Sequence, residues 1–437
     1  MEVVLGIYLV TGGWGMQVTI PIFGRNVPLL WFVVPFLIPG CIYCYLKNKP
    51  KIIYPNDNNA VICFAFWVAW MSIIAVGYGF PENYGRATAI GILFRFTIPM
   101  FALVLTLGNL QQIRWLAFSF VVTAIPLGCL LVSKSNQFKD LDWGTIAAAG
   151  GDEFVYNYHF CGWITGLALV FSCILFVDSG FGRLRLKAFV FPPILGVLCY
   201  ILLTTSSRQT MVAITFALLL FCFLVMRFSL KSLVPILLVV FAIGVGGYLL
   251  IAEDLGRLRL EKVVADFFGR IDLYKIMWEW FLKSPLTGNG LVYDPGYNHN
   301  LFLDILAGQG VIGLVLMCGV LFAFARFGRR LASRSDNVSI DLWRKGLLAA
   351  ALFVFIPQMV TGGVLSAHPL LWVGLSIRSL YYISAAQERN RPKTLRLLRI
   401  NAAQSQNAAT EDGLDNKAAS AHSTATSFIK YEPSATF

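Results

Sequence analysis

Three short patterns offer chemistry on a first reading. Gly150-Gly151-Asp152-Glu153-Phe154 spells GGDEF, the signature of cyclases that build a cyclic dinucleotide from GTP. Asp140-Leu141-Asp142 fits the D-x-D pattern with which nucleotide-sugar transferases hold a metal-bound diphosphate. Tyr297-Asn298-His299-Asn300 leads into an apolar run, and a histidine, the side chain whose unperturbed pKa lies near neutrality, can accept or orient a proton. Arg95 stands alone inside the apolar run AIGILFRFTIPMF. The nine cysteines (Cys41, Cys44, Cys63, Cys129, Cys161, Cys173, Cys199, Cys222 and Cys318) show no metal-ligand spacing and read as small core residues.

The elements that must position these residues follow from composition. The chain is 57% hydrophobic and 13% charged, against about 25% charged for a soluble domain, with a mean hydropathy of +0.69. Lipid must cover that much apolar surface, so the fold class is an all-α polytopic membrane protein. The N-terminus, MEVVLGIYLVTGG, has Glu2 and no basic cluster, and so reads as a span rather than a cleaved signal peptide. Apolar runs near 3–21, 28–46, 60–79, 88–108, 115–133, 160–177, 188–205, 210–226, 232–252, 301–325, 346–365 and 369–385 predict about twelve transmembrane helices.

Counted alternately, the gaps place Lys47, Lys49, Lys51, Arg114, Arg183, Arg185, Lys187, Arg227, Lys231, Arg326, Arg329, Arg330, Arg334, Arg344 and Lys345 on one side, with the basic start of the tail. The positive-inside rule makes that side the cytoplasm, with both termini on it, and the +12 net charge is a topology signal rather than a nucleic-acid stripe. Segments 134–159 and 253–300 then face outward. The GGDEF letters fall in the first of these, a loop far too small for a GTP-using α/β domain and on the wrong side for GTP, so they are a chance match. The D-x-D pattern lies in the same loop, away from nucleotide sugars, and Asp152 and Glu153 read as solvated. Residues 1–386 form the transmembrane domain; residues 387–437, rich in Ala, Ser, Asn and Thr, form a disordered cytoplasmic tail.

Within the outward-facing loop of about 253–300, Ile271, Tyr274, Met277, Trp278 and Phe281 recur at helical spacing, which predicts an amphipathic interfacial helix. Pro285, Gly288 and Gly290 end it, and the chain turns back through His299 into the next span.

His299-Asn300, nine residues, then Gly310-Val311-Ile312-Gly313 is similar to the H-N-x9-G-x-x-G pattern of the bacterial O-antigen ligase and polymerase superfamily, and the preceding SPLTGNG resembles that family's turn. With twelve spans and one large outer loop before the tenth, the resemblance covers most of residues 1–385. It implies a membrane glycosyltransferase of the GT-C type that takes a glycan from undecaprenyl diphosphate and joins it to a sugar hydroxyl. It also implies catalytic roles for Arg208 in TTSSRQTMV, for Arg270 and for His299. Asn298 and Asn300, which flank His299, and Arg95, a charge at membrane depth, are substrate-binding candidates. Val212 stands where the family often has Leu, an exchange between apolar residues.

The chemistry of such a reaction fits these residue types. A departing diphosphate gathers negative charge that cations must meet, and a guanidinium grips phosphate oxygens in pairs. His299 would accept or orient the proton of the attacking hydroxyl. Each residue also has a structural alternative: Arg208 as an interfacial snorkeler, Arg270 paired with Asp266 or Asp272, His299 as an ordinary interfacial histidine, and Arg95 in an internal pair. Gly310 and Gly313 read as helix packing, His159 and His368 as structural, and Glu279 as polar face.

The sequence thus leads to an inner-membrane O-antigen ligase with lipid A-core as acceptor, needing no metal or cofactor and binding no nucleic acid. The alternatives are a repeat-unit polymerase whose acceptor is a lipid-linked glycan, and a polysaccharide-lipid flippase. A flippase would spread basic residues along several consecutive spans, whereas here the polar motif gathers around one outer loop.

Overall fold

In a bilayer the backbone must satisfy its own hydrogen bonds, which favours helices wherever apolar runs are long. The computed structural model describes residues 1–12, 19–22, 25–28, 30–48, 59–77, 92, 96–138, 152–204, 208–225, 241, 260–290, 300–332, 337–360 and 368–387. Its helices are α1 (Glu2–Gly12), α2 (Leu30–Asn48), α3 (Asn59–Gly77), α4 (Ile98–Thr106), α5 (Leu110–Phe138), α6 (Asp152–Val177), α7 (Leu184–Thr204), α8 (Arg208–Val225), α9 (Leu260–Lys283), α10 (Leu301–Ala332) and α11 (Val338–Val360). A twelfth, α12, covers residues 368–387. A short antiparallel hairpin, β1 (Thr19–Ile22) on β2 (Arg25–Pro28), links α1 to α2, with Ile20 opposite Val27.

The twelve described helices do not map one to one onto the twelve expected spans. The ninth, α9, lies in the segment expected outside the membrane, and the expected span 232–252 falls outside the described residues apart from Phe241. Among the described residues three stretches are long and apolar enough to cross a membrane: Leu110–Leu130, Arg185–Thr204 and Leu301–Leu331. Shorter apolar helices run over Val61–Ala75, Cys161–Val177 and Gln209–Val225. Residues Met1–Ser384 form one unit and Ala385–Phe437 a second, of which the end of α12 is the described part.

The segment expected as a loop over 134–159 is shorter than its sequence suggests. Helix α5 continues to Phe138, and α6 already starts at Asp152. Acidic residues are favoured in a first helical turn, so Asp152, Glu153 and Phe154 open a helix instead of lying in a loop.

Glycines let these helices approach closely. Gly166 on α6 faces the Phe353 ring of α11, and Gly346 on α11 faces Ile174 of α6, so each helix supplies the gap that the other fills. The α5–α6, α8–α11, α1–α5 and α3–α10 pairs complete the bundle around a core that includes Trp67, Trp343, Phe221 and Phe353.

One buried acid gathers four elements. Asp178, just past α6, accepts from Arg114 Nε (2.7 Å) and Nη2 (3.0 Å) of α5, from Trp343 Nε1 (2.7 Å) and Ser339 Oγ (3.3 Å) of α11, and from its own loop at Gly180 N (3.0 Å). Lys187 of α7 donates to the main-chain carbonyls of Phe176 (3.4 Å) and Asp178. Burial alone would raise the Asp178 carboxyl, but the hydrogen bonds from Arg114 and Trp343, the Arg114 charge and the Gly180 N–H outweigh it and hold the group below the ordinary carboxylate range. Arg114 and Lys187, counted in the sequence as topology charges, are therefore also structural.

This cluster fixes the bundle's two ends. The starts of α5, α7 and α11 meet the end of α6 at the basic end. The start of α6, the end of α7 and the end of α11 accordingly lie at the opposite end.

Candidate functional site

The site is built around a break in α10. At Gly310 the backbone leaves helical geometry (φ 66°, ψ −168°), a conformation that is essentially confined to glycine. The turn Ser284–Gly290, which follows α9, docks on this break. Its Asn289 N donates to Ala307 O (2.9 Å) and Gly290 N to Gly308 O (3.0 Å), while Val311 N donates to Pro285 O (2.9 Å) and Ile312 N to Leu286 O (3.3 Å). Asn289 Nδ2 adds bonds to Trp280 O (2.6 Å) and Ala307 O (3.1 Å). Backbone groups on both sides of the break are thereby satisfied by protein, as an irregular stretch inside a span requires. The SPLTGNG turn singled out in the sequence serves this purpose.

Helix α3 closes the other side. Trp67 Nε1 donates to Gln309 Oε1 (3.0 Å) and Trp70 Nε1 to Gln309 O (3.1 Å). A Cβ on Gly313 would strike the Gln309 side chain, so Gly313 is the residue that makes room for it. Both glycines of the G-x-x-G pattern thus have packing reasons, one conformational and one steric. Trp67 also starts an aromatic chain, edge-on to Phe96 (5.7 Å), which stands edge-on to His368 (6.1 Å), whose ring lies 4.6 Å from that of Trp372. The structural reading of His368 agrees with its full burial in this chain.

Asn300 is the N-cap of α10. Its Oδ1 accepts from Phe302 N (3.0 Å) and Leu303 N (3.2 Å), and its Nδ2 donates to Met359 O (3.4 Å) at the end of α11. The start of α10 therefore lies at the end of the bundle opposite the basic cluster. Arg208 is the first residue of α8, four residues past the end of α7 and so at that same end. The side chain of Arg208 lies outside the described residues, as does that of Arg270, whose backbone belongs to α9. Arg95, Asn298 and His299 lie outside the described residues altogether.

On α9, Met277 is buried, whereas Trp278 (49% exposed) and Leu282 (59%) present an open apolar strip that suits a helix lying at an interface. Lys283 sits over the Trp280 ring at 4.9 Å, and Lys275 pairs with Asp272 at 3.0 Å, which engages one of the two acids considered as partners for Arg270. Among the described residues no group of three His, Cys, Asp or Glu is placed to hold a metal ion.

The O-antigen ligase family model matches residues 193–318. The match supports membership of the O-antigen ligase and polymerase family. It runs from inside α7 to inside α10 and encloses Arg208, Arg270, His299, Asn300, Gly310 and Gly313, while Arg95 lies outside it. Members of the O-antigen ligase and polymerase family are glycan ligases and polymerases, which supports an enzyme role acting on lipid-linked glycans in a membrane. No curated protein matches the chain.

Sequence reasoning overlooked Gln309, Trp67 and Trp70, and the Asp178 cluster. Signals were present: Gln309 is an amide amid apolar residues, the two tryptophans share a helix face at i, i+3, and Asp178 is the one acid in VDSGFGRLRLK.

Proposed function

We propose that the chain is an inner-membrane O-antigen ligase that transfers an undecaprenyl diphosphate-linked glycan, at the periplasmic face, to a hydroxyl of lipid A-core. The observation that carries this reading is the family match over 193–318, which encloses both arginines and the H-N-x9-G-x-x-G motif. The bundle geometry supports it, because the starts of α8 and α10 share one end. The outward orientation of that end is supported by Arg114, Lys187, Arg344 and Lys345, which gather at the other.

In this mechanism the acceptor hydroxyl oxygen attacks the anomeric carbon of the glycan. The bond from that carbon to the phosphate oxygen breaks, and its electron pair leaves with undecaprenyl diphosphate. The hydroxyl proton passes to His299. Arg208 and Arg270 meet the charge growing on the diphosphate without a metal, each gripping two oxygens. Asn300 holds the start of α10, which His299 immediately precedes in sequence, and Arg95 and Asn298 contact substrate.

A repeat-unit polymerase would use the same residues on a lipid-linked acceptor. Deletion of the gene separates the two: long glycan chains accumulating on the carrier lipid support the ligase, single repeat units the polymerase, and an unchanged carrier pool contradicts both.

A further inference from the structure

Gln309 is fully buried, yet its amide is only half used. An indole N–H only donates, so the bond from Trp67 fixes Oε1 toward α3 and turns Nε2 away, where it has no hydrogen-bond partner among the described residues. A half-satisfied buried amide is a poorer source of stability than an apolar pair of similar shape. Stability therefore does not account for the Trp67–Gln309 joint.

Its location does. Residues 301–309 form a short rod with a tether at each end. Asn300 ties the start to Met359 of α11, and Gln309 ties the other end to α3 beside the break at Gly310. His299 immediately precedes the rod. A nine-residue helix is about 13 Å long, so a tilt of roughly 5° at Gln309 moves its start by about 1 Å. A displacement of that size can cost on the order of a hundredfold in rate.

We infer that Gln309 is a positioning residue: held by Trp67, it aims the first segment of α10 and with it His299. This rests on the role given to His299 above. The test uses Trp67→Phe, Gln309→Leu and their combination in the full-length protein. Each single variant leaves one buried partner unpaired and should lower Tm, and the double variant should restore it. Turnover should behave differently: each single variant and the double should lose tenfold or more in kcat, with KM for the lipid-linked donor unchanged and the losses not additive. Gln309→Glu, which keeps an acceptor for Trp67, should recover part of kcat. A double variant with kcat within twofold of wild type, or a loss that merely tracks the folded fraction, overturns the inference.

A second readout is independent of transfer. His299→Cys, labelled in membranes with an impermeant maleimide and followed by peptide mass spectrometry, should react at a rate changed several-fold by Gln309→Leu. An unchanged rate overturns the positioning role. A changed rate in a protein whose wild type transfers no glycan supports the positioning and overturns the proposed function instead.

Discussion

A Cβ on Gly310 would lie 2.7 Å from the amide nitrogen of Gly288, and a Cβ on Gly288 would collide with the main chain of Gly308 and Gln309. Both residues also have positive φ, 66° and 76°. Alanine at either position should cost roughly 2 kcal/mol or more, combining backbone strain with overpacking. Thermal unfolding in detergent checks this, and an unchanged Tm for Gly310→Ala would contradict the docked turn.

Asp178 should matter for stability and not for transfer. Asn in its place leaves Arg114 buried without its anion, which typically costs about 3–5 kcal/mol. Because the folded-state pKa lies below the unfolded value, the stabilisation is complete above about pH 4 and is lost as pH falls through the folded pKa. The Tm gap between wild type and Asp178→Asn should therefore be widest near neutrality and shrink on acidification. A gap that widens in acid would contradict the ion pair.

Asn300 tests capping against chemistry. Asn300→Asp keeps an acceptor for Phe302 N and Leu303 N and loses only the donation to Met359 O, while Asn300→Ala loses both and should be about 1 kcal/mol less stable than Asn300→Asp. Equal stability of the two variants would remove the cap from the account.

The legibility of the sequence had physical limits. Apolar runs showed where helices form because lipid leaves the backbone little choice, and the stripe of Ile271, Tyr274 and Met277 marked α9 as amphipathic. The break at Gly310 was hidden, since an apolar run looks the same whether or not one φ changes sign, and only the docked turn makes the change necessary. Asp178 was hidden because its partners Arg114 and Trp343 are far away in sequence. The α5–α6 connection was judged too long because polar residues at helix ends, such as Asp152, resemble loop residues.

Arg270 tests the diphosphate role. One preorganised charge contact in a transition state is worth about 3–4 kcal/mol, so Arg270→Ala should slow transfer on the order of a hundredfold or more. Arg270→Lys should fall between, since an ammonium lacks the two-point grip. A normally folded Arg270→Ala with near-normal turnover would return Arg270 to a structural ion pair.

Sidedness has its own check. A cysteine at Asp294 should react with an impermeant thiol reagent in intact spheroplasts, because the basic gaps fall on the opposite side. Labelling only after lysis would invert the topology and place the site in the cytoplasm.

The most direct measurement is transfer by the purified protein, reconstituted with an undecaprenyl diphosphate-linked oligosaccharide and lipid A-core in the presence of EDTA. The account predicts glycan on the lipid A-core, equimolar release of undecaprenyl diphosphate, and loss of both in His299→Ala. An intact donor with the wild-type protein, or a His299→Ala variant that transfers at the wild-type rate, would contradict it.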